Sequence, residues 1–313
     1  MKNVSEFAEW SYKSHEHDCS SMKRERSETW FRDDTVDAWR HIRMYQLIDP
    51  LLAVFPESAW ITVGDGRHGS DAHYIASKGG HALATNISDK LLKESHDAGY
   101  IGDFSRQNAE ALTIPDQAYD FAFCKESYHH FPRPMIALYE MLRVTKKGVV
   151  LIEPQDRYLG GGVMNDFYTG VVNALIRLFF HFNVTRNNYE SVGNYVYSIS
   201  EREIEKAALG INLPVIAFKG VNDYYQEGVE FEVASPNSKV FRKVRRIISF
   251  YDLLSKLRIV KYRYLCAMMF KNPLSDDLRR RLVSGGYRIV DLPKNPFLNP
   301  VTPEHAQETN QQV

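Results

Sequence analysis

The sequence predicts an α/β fold in which a mostly parallel sheet carries helices on both faces. Between residues 59 and 154, short apolar runs alternate with helical segments of roughly ten residues, and this alternation is typical of βαβ units. The apolar runs are nearly continuous, as expected for parallel strands that are covered on both faces. A glycine-rich turn follows the first run, at the end of a strand where such folds usually bind ligands.

The N-terminal segment predicts a helical cover for this sheet. Residues 1–35 are polar and charged with scattered Trp and Phe, so we expect a loosely packed arm. Over residues 35–55 the apolar side chains recur in steps of three and four, which predicts a helix along one edge of the next domain. Residues 1–50 are therefore assigned to an N-terminal helical arm.

Strands and helices alternate through the predicted core of the main domain. Strands are predicted at 59–63, 81–87, 119–125 and 148–154. Helices are predicted between them, at 70–79, 88–99 and 134–146. Ser88 is the expected N-cap of the second helix, Gly99 follows its last turn, and Pro134 suits the first turn of the third.

The second half of the chain continues the pattern and adds longer insertions. Residues 165–182 are apolar nearly all round, which predicts a helix that is buried or covered by a partner. Residues 199–210 open with the capping pattern S-x-x-E and predict another helix. Further strands are expected at 213–221 and 263–271.

These elements suggest how the chain is divided. The main domain is assigned to residues 51–275, with helical cap insertions at about 158–198 and 226–262. Residues 276–313 form a C-terminal extension that begins with a short helix and ends in a polar tail expected to be disordered.

A basic segment stands out at residues 239–263, where nine Lys or Arg accompany a single Asp beside an apolar helical face. Three interpretations stay open for it. It is the solvated face of an ordinary helix, a membrane-surface helix that binds anionic lipid, or a positive lid over a phosphate-bearing substrate.

Charge, cysteine content and hydropathy exclude several classes of protein. Lys+Arg and Asp+Glu are equal at 39 each, so the net charge predicts no bulk affinity for nucleic acid. The three cysteines, Cys19, Cys124 and Cys266, are far apart and odd in number, which favours a reducing compartment. The N-terminus has no apolar signal-peptide core, and no run of 18 apolar residues occurs. We therefore expect a cytoplasmic protein.

The turn after the first strand has the spacing G-x-G-x-x-G, at Gly64, Gly66 and Gly69. Such a turn lets the backbone approach a ligand and exposes the first N–H groups of the next helix. It is compatible with a dinucleotide, with S-adenosylmethionine, or with a turn that binds nothing. A dinucleotide site expects an acid at the end of the second strand, where this sequence has Asn86.

Four segments in order resemble the motifs of the class I S-adenosylmethionine-dependent methyltransferases, most of all the small-molecule branch similar to quinone-biosynthesis methyltransferases. They are VGDGRHG (63–69), TNISDKLL (85–92), QNAEALTIPDQAYDFAFCKESYHHF (107–131) and ALYEMLRVTKKGVVLIEP (137–154). The resemblance covers about residues 58–154 and implies a Rossmann-like, mostly parallel seven-stranded sheet. It departs from the family at three places where an acid is expected, which are Thr62, Asn86 and Asn108.

The resemblance also implies a set of cofactor contacts. S-adenosylmethionine would be the cofactor and S-adenosylhomocysteine the product. The residues expected to bind it are Gly64, Asp65, Gly66, Gly69, Asn86, Ile87, Asn108, Ala109, Lys125 and Glu126.

Candidates for catalysis follow the fourth strand, at Glu126, His129 and His130. An imidazole titrates near neutral pH, which suits a general base that takes a proton from a substrate hydroxyl. The alternative is that both histidines only pack or cap a helix. No metal is expected, because HEHDC at 15–19 matches no standard zinc spacing.

The expected activity is methyl transfer to a small-molecule, sugar-linked or lipid-linked acceptor, on oxygen. An NAD(P)-dependent oxidoreductase that uses the same loop, or a cofactor-binding protein without catalysis, stays open. Among partners we expect no nucleic acid, while peripheral contact with an anionic membrane and a homodimer are both compatible with the sequence.

Overall fold

An eight-stranded sheet forms the centre of the protein in a computed structural model, which describes residues 4–21, 24–156, 171, 188–190 and 192–298. The strands are β1 Ala59–Val63, β2 His81–Asn86, β3 Phe104–Arg106, β4 Tyr119–Lys125, β5 Thr145–Pro154, β6 Val215–Val221, β7 Tyr264–Phe270 and β8 Arg288–Asp291. Their order is β3-β2-β1-β4-β5-β7-β6-β8.

Strand direction confirms the mostly parallel α/β prediction. Strands β3, β2, β1, β4 and β5 pair in parallel, whereas β7 runs antiparallel to both β5 and β6. The predicted count of seven strands is one too low, because β8 adds an antiparallel edge to β6 within the predicted C-terminal extension. The β3 strand was not predicted, since three residues are too few to show a period.

Ten helices surround the sheet among the described residues. They are α1 Val4–Ser21, α2 Arg24–Glu28, α3 Val36–Tyr45, α4 Asp49–Val54, α5 Ser70–Ser77, α6 Lys90–Asp97, α7 Pro134–Arg143, α8 Glu201–Gly210, α9 Lys239–Lys256 and α10 Asp276–Ser284. Side-chain caps start several of them: the Thr35 hydroxyl accepts from the Ala38 N–H, and the Ser200 hydroxyl accepts from the Glu203 N–H.

Three local predictions need correction. The single helix expected over 35–55 is divided into α3 and α4 by a 3₁₀ turn at Gln46–Ile48, and Pro50 fits the start of the second piece. Ser88 is not an N-cap, because α6 begins at Lys90 after Asp89. The arm is not loosely packed either, since α1 buries Ala8 and Ser11.

The core lies in two layers, one on each face of the sheet. Helices α7 and α8 cover one face with residues such as Leu138, Met141 and Ile204. Helices α3, α4, α5 and α10 cover the other face, where Ile48 and Ile75 are fully buried. This double cover accounts for the continuous apolar strands and leaves the carboxyl ends of the parallel strands open for a site.

Two predicted segments lie outside the described residues. The apolar helix at 165–182 falls there except for residue 171, as does the C-terminal tail after residue 298. Within the part of the chain that the structure describes, no helix has both the length and the apolar character needed to cross a bilayer.

Candidate functional site

A cleft with an empty volume of about 1180 Å³, partly open to solvent, lies at the carboxyl ends of β1, β2 and β4. Its floor comes from the loops after these strands, and α1 and Trp30 close one side. The lining includes Tyr12, Trp30, Gly64, Asp65, Gly66, Arg67, Asn86, Ile87, Gln107, Asn108, Ala109, Glu110, Lys125, Glu126, Ser127, His130 and Glu190.

The three glycines of the loop after β1 are required for different structural reasons. Gly64 has φ +79° and carries no side chain because a Cβ there would overlap the Ser127 side chain. A Cβ on Gly66 would lie 3.3 Å from Asn86 Nδ2, so this glycine keeps the cleft open beside Asn86. Gly69 lies at the start of α5 against Ile101 and is not part of the cleft lining, unlike the other predicted contacts.

Thr62, which stands where the resemblance led us to expect an acid, makes a hydrogen bond to an acid of the following loop. The Thr62 hydroxyl donates to the Asp65 carboxylate at 2.9 Å, and the same carboxylate accepts from the N–H groups of Asp71 and Ala72. Asp65 therefore accepts two N–H groups that have no partner within the first turn of α5. Burial raises the pKa of Asp65 above its usual range, and the neighbouring Asp71 adds to this effect.

Polar amides line the middle and far end of the cleft. The Asn86 side-chain N–H donates to the Ser88 carbonyl at 3.0 Å, and Asn108 Oδ1 accepts from the Glu110 N–H at 3.0 Å. Both asparagines thereby hold the turns of their own loops. Ile87 and Ala109 add apolar surface between them.

A buried charge cluster surrounds Lys125 at the near end of the cleft. Its ammonium nitrogen lies 3.1 Å from His41 Nδ1, 3.3 Å from Glu126 Oε2 and 3.6 Å from Asp71 Oδ1. Burial alone would raise the pKa of Glu126, but Lys125, Arg40 and Arg67 outweigh it and lower this pKa to about 2. Glu126 is therefore a permanent anion at neutral pH and a weak proton acceptor.

The two histidines differ in their surroundings. Nδ1 of His129 lies 2.6 Å from Glu153 Oε2, inside the protein, and His129 does not belong to the cleft lining. His130 does line the cleft, and its Nδ1 lies 2.7 Å from Glu190 Oε2. Glu190 also approaches His129, at 3.8 Å from Nε2, so its carboxylate connects the two rings.

The carboxylates move the pKa of His129 upward. Burial disfavours the imidazolium, but the charge and the hydrogen bond of Glu153 outweigh burial, and the pKa of His129 is raised.

Neither Glu153 nor Glu190 was predicted from the sequence. Glu153 is the sole acid in the apolar run of β5, which is a usable signal, whereas nothing in the sequence around Glu190 points to a site.

Comparison with known proteins yields one family match. A family model described as "Methyltransferase domain" matches residues 61–152, which contain most of β1, all of β2, β3 and β4, most of β5 and most of the cleft. Residues 61–152 form a class I methyltransferase domain. No functionally curated protein matches the sequence significantly.

Solved structures resemble the methyltransferase domain and its flanking elements. The magnesium protoporphyrin IX methyltransferase of Synechocystis PCC 6803, solved with bound S-adenosylhomocysteine, is 12% identical with a TM-score of 0.50, and the match covers 82% of this chain and 98% of that one. A methyltransferase from Methanosarcina mazei is 13% identical with a TM-score of 0.42, covering 70% and 94% of the two chains. A putative sarcosine dimethylglycine methyltransferase from Galdieria sulphuraria is 15% identical with a TM-score of 0.43, covering 74% and 86%. The first of these likenesses supports the fold.

S-adenosylmethionine is the cofactor of this domain, and the cleft has the chemistry to hold it. Asn86, which lies beside Gly66, would bind the ribose, and Asn108 with Ala109 would bind the adenine. Gly64 and Asp65 would face the methionine part, and the anionic Glu126 would lie near the positive sulfonium.

Among the residues that the structure describes, one cluster has ligand atoms close enough together to hold a metal ion. His129, His130 and Glu190 each offer an atom within 4.8 Å of the others. The same groups also pair with one another, Glu190 with His130 and Glu153 with His129.

Proposed function

We propose that the protein transfers a methyl group from S-adenosylmethionine to a hydroxyl oxygen of a small-molecule, sugar-linked or lipid-linked acceptor. The observation that carries the choice of oxygen is the pair of histidines bridged by Glu190 at the cleft, with Glu153 behind His129. A hydroxyl nucleophile must lose its proton as it accepts the methyl group, and this network gives the proton a place to go.

The chain would contribute binding, alignment and proton transfer. The bound cofactor supplies an activated methyl group on its sulfonium, so correct alignment with the nucleophile accounts for much of the rate. His130, on the cleft wall, would accept the hydroxyl proton. Glu190 and the His129–Glu153 pair would stabilise the resulting positive charge.

The oxidoreductase alternative is disfavoured by the sheet. Dinucleotide-binding sheets run in the order 3-2-1-4-5-6, whereas here the antiparallel β7 lies between β5 and β6. Asn86, in place of an acid, would also offer the ribose hydroxyls a weaker acceptor.

Calorimetry separates the functional classes. Titration with S-adenosylhomocysteine and S-adenosylmethionine should show binding at micromolar concentrations, and titration with NAD should show none. Binding of NAD without binding of S-adenosylhomocysteine would contradict the proposal. Gly66→Ala is the matched variant, because it should weaken the cofactor titration without affecting the fold.

Turnover distinguishes an enzyme from a passive cofactor-binding protein. Methyl-labelled S-adenosylmethionine would be incubated with phenols, sugars and isoprenoid alcohols, and label in the acceptor measured. Transfer to a hydroxyl compound that His130→Ala abolishes, with unchanged cofactor affinity, supports the proposal. Transfer confined to amine or thiol acceptors would contradict the choice of oxygen.

A further inference from the structure

Helix α9 has one buried face and one face that is exposed to solvent. Phe241, Val244 and Ile248 are buried against Val36 of α3 and against Val229. Helix α9 thus docks on α3, the helix whose His41 reaches Lys125 beside the cleft.

The outward face of α9 is divided along its length. Residues spaced three or four apart share one side of a helix. The exposed residues at this spacing are Lys239, Lys243, Arg246, Phe250, Leu253 and the C-cap residue Leu257. The first half of this stripe is basic and the second half is apolar. Phe250, Leu253 and Leu257 are 58%, 54% and 61% exposed, which is unusual for large apolar side chains that lie next to one another.

Basic residues outnumber acids around the stripe, with Glu232 beside its N-terminal end, where it accepts from the Ser238 hydroxyl at 3.1 Å. Residues 239–263 contain nine Lys or Arg, and Asp252 is their single acid. Asp252 faces inward, because its carboxylate accepts from the Asn222 side-chain N–H at 2.9 Å and lies 3.4 Å from an Arg43 nitrogen. The outward face therefore combines an excess of positive charge with exposed apolar groups.

We propose that the outward face of α9 binds the surface of an anionic lipid bilayer. Phe250, Leu253 and Leu257 would enter the boundary between headgroups and acyl chains, while Lys243 and Arg246 would bind lipid phosphates. Helices of this composition lie in the membrane interface, held by buried apolar area together with attraction to anionic lipid.

Other occupants fit the charge less well. A second copy of the chain would bring two basic faces together, which is repulsive. Residues 165–182 carry one Asp and one Arg and offer no excess negative charge. A lid over a phosphate-bearing substrate would require α9 residues at the cofactor cleft, and the described lining contains none of them.

Vesicle flotation with the full chain tests the proposal independently of any methyl transfer. The protein should float with phosphatidylcholine vesicles that contain phosphatidylglycerol, and high salt should weaken this binding. It should remain unbound with pure phosphatidylcholine vesicles. Absence of flotation with the anionic vesicles, or equal binding to both kinds, would overturn the proposal.

Matched surface variants connect the binding to α9. The double variant Phe250→Ser/Leu253→Ser should reduce partitioning by about tenfold or more, and Val283→Ser on α10, where the valine is 60% exposed, should not. Lys243→Glu/Arg246→Glu should abolish binding, whereas Arg280→Glu should preserve it. Sedimentation provides a further check, because a wild-type dimer that Phe250→Ser/Leu253→Ser converts to monomer would assign the face to a second copy and overturn the proposal.

Discussion

Glu153, at the end of β5, holds the His129 ring at 2.6 Å and also accepts the N–H groups of Ser127 and Tyr128 at 2.9 Å. One buried carboxylate thus fixes both the loop after β4 and the orientation of an imidazole. The Nδ1 nitrogen of His129 donates to Glu153, and this contact fixes the ring. The other ring nitrogen, Nε2, therefore faces Glu190.

Glu153→Gln should lower kcat and shift its pH dependence. A positive charge on His129 would oppose proton uptake by His130, whose ring centroid lies 4.0 Å away, and Glu153 raises the pKa of His129 above its usual value of 6.5. Removing the carboxylate therefore moves the acid limb of the kcat profile to lower pH, while kcat falls by about tenfold or more. Rates across a pH series check this, with Glu203→Gln on α8 as the control. An unshifted acid limb would show that His129 does not titrate in the reaction.

Asp65→Asn should change how stability depends on pH. Burial raises the pKa of Asp65 above its unfolded value of 3.8, so the folded state keeps a proton that the unfolded state loses. The wild type therefore loses stability as pH rises from about 4 through the folded pKa. The neutral amide lacks this loss, so relative to wild type the variant should gain in melting temperature as pH rises. A constant difference between the two melting curves at every pH would argue that Asp65 ionises normally.

The sheet and most of the cofactor cleft could be predicted from the sequence because both depend on local patterns. Continuous apolar runs identify buried parallel strands, and the glycine turn and the asparagines follow strand ends, which the fold brings together. The role of Asp65 could not be predicted, because Thr62 alone suggested a lost acid. Glu190 could not be predicted either, since its contact with His130 crosses 60 residues of chain and depends on tertiary packing.

Tyr12→Phe should weaken cofactor binding, because it loosens the attachment of α1 to the wall of the cleft. The Tyr12 hydroxyl donates to Glu110 at 2.6 Å, and Glu110 is held in turn by Arg133, so this bond ties α1 to the wall of the cleft. Without it α1 is held less firmly over the cleft, and the Kd for S-adenosylhomocysteine should rise by about tenfold or more, as expected from losing one hydrogen bond to a charged group. Calorimetry measures the change, and Tyr139→Phe on the exposed face of α7 is the control. Equal affinity in both variants would mean that α1 does not contribute to binding.

Alanine at three glycines should separate backbone strain, steric overlap and loss of ligand space. Gly99 has φ +72° with open space around it, so Gly99→Ala should cost about 1 kcal/mol from the left-handed backbone alone. Gly64→Ala adds overlap with Ser127 to the same strain and should destabilise the fold more. Gly66 lacks a positive φ, so its alanine variant should melt near wild type yet bind S-adenosylhomocysteine more weakly, because the new methyl group lies 3.3 Å from Asn86 Nδ2. Melting curves and calorimetry on the same three proteins check the order. If Gly66→Ala lost stability but kept its affinity, the ribose would not lie beside Asn86.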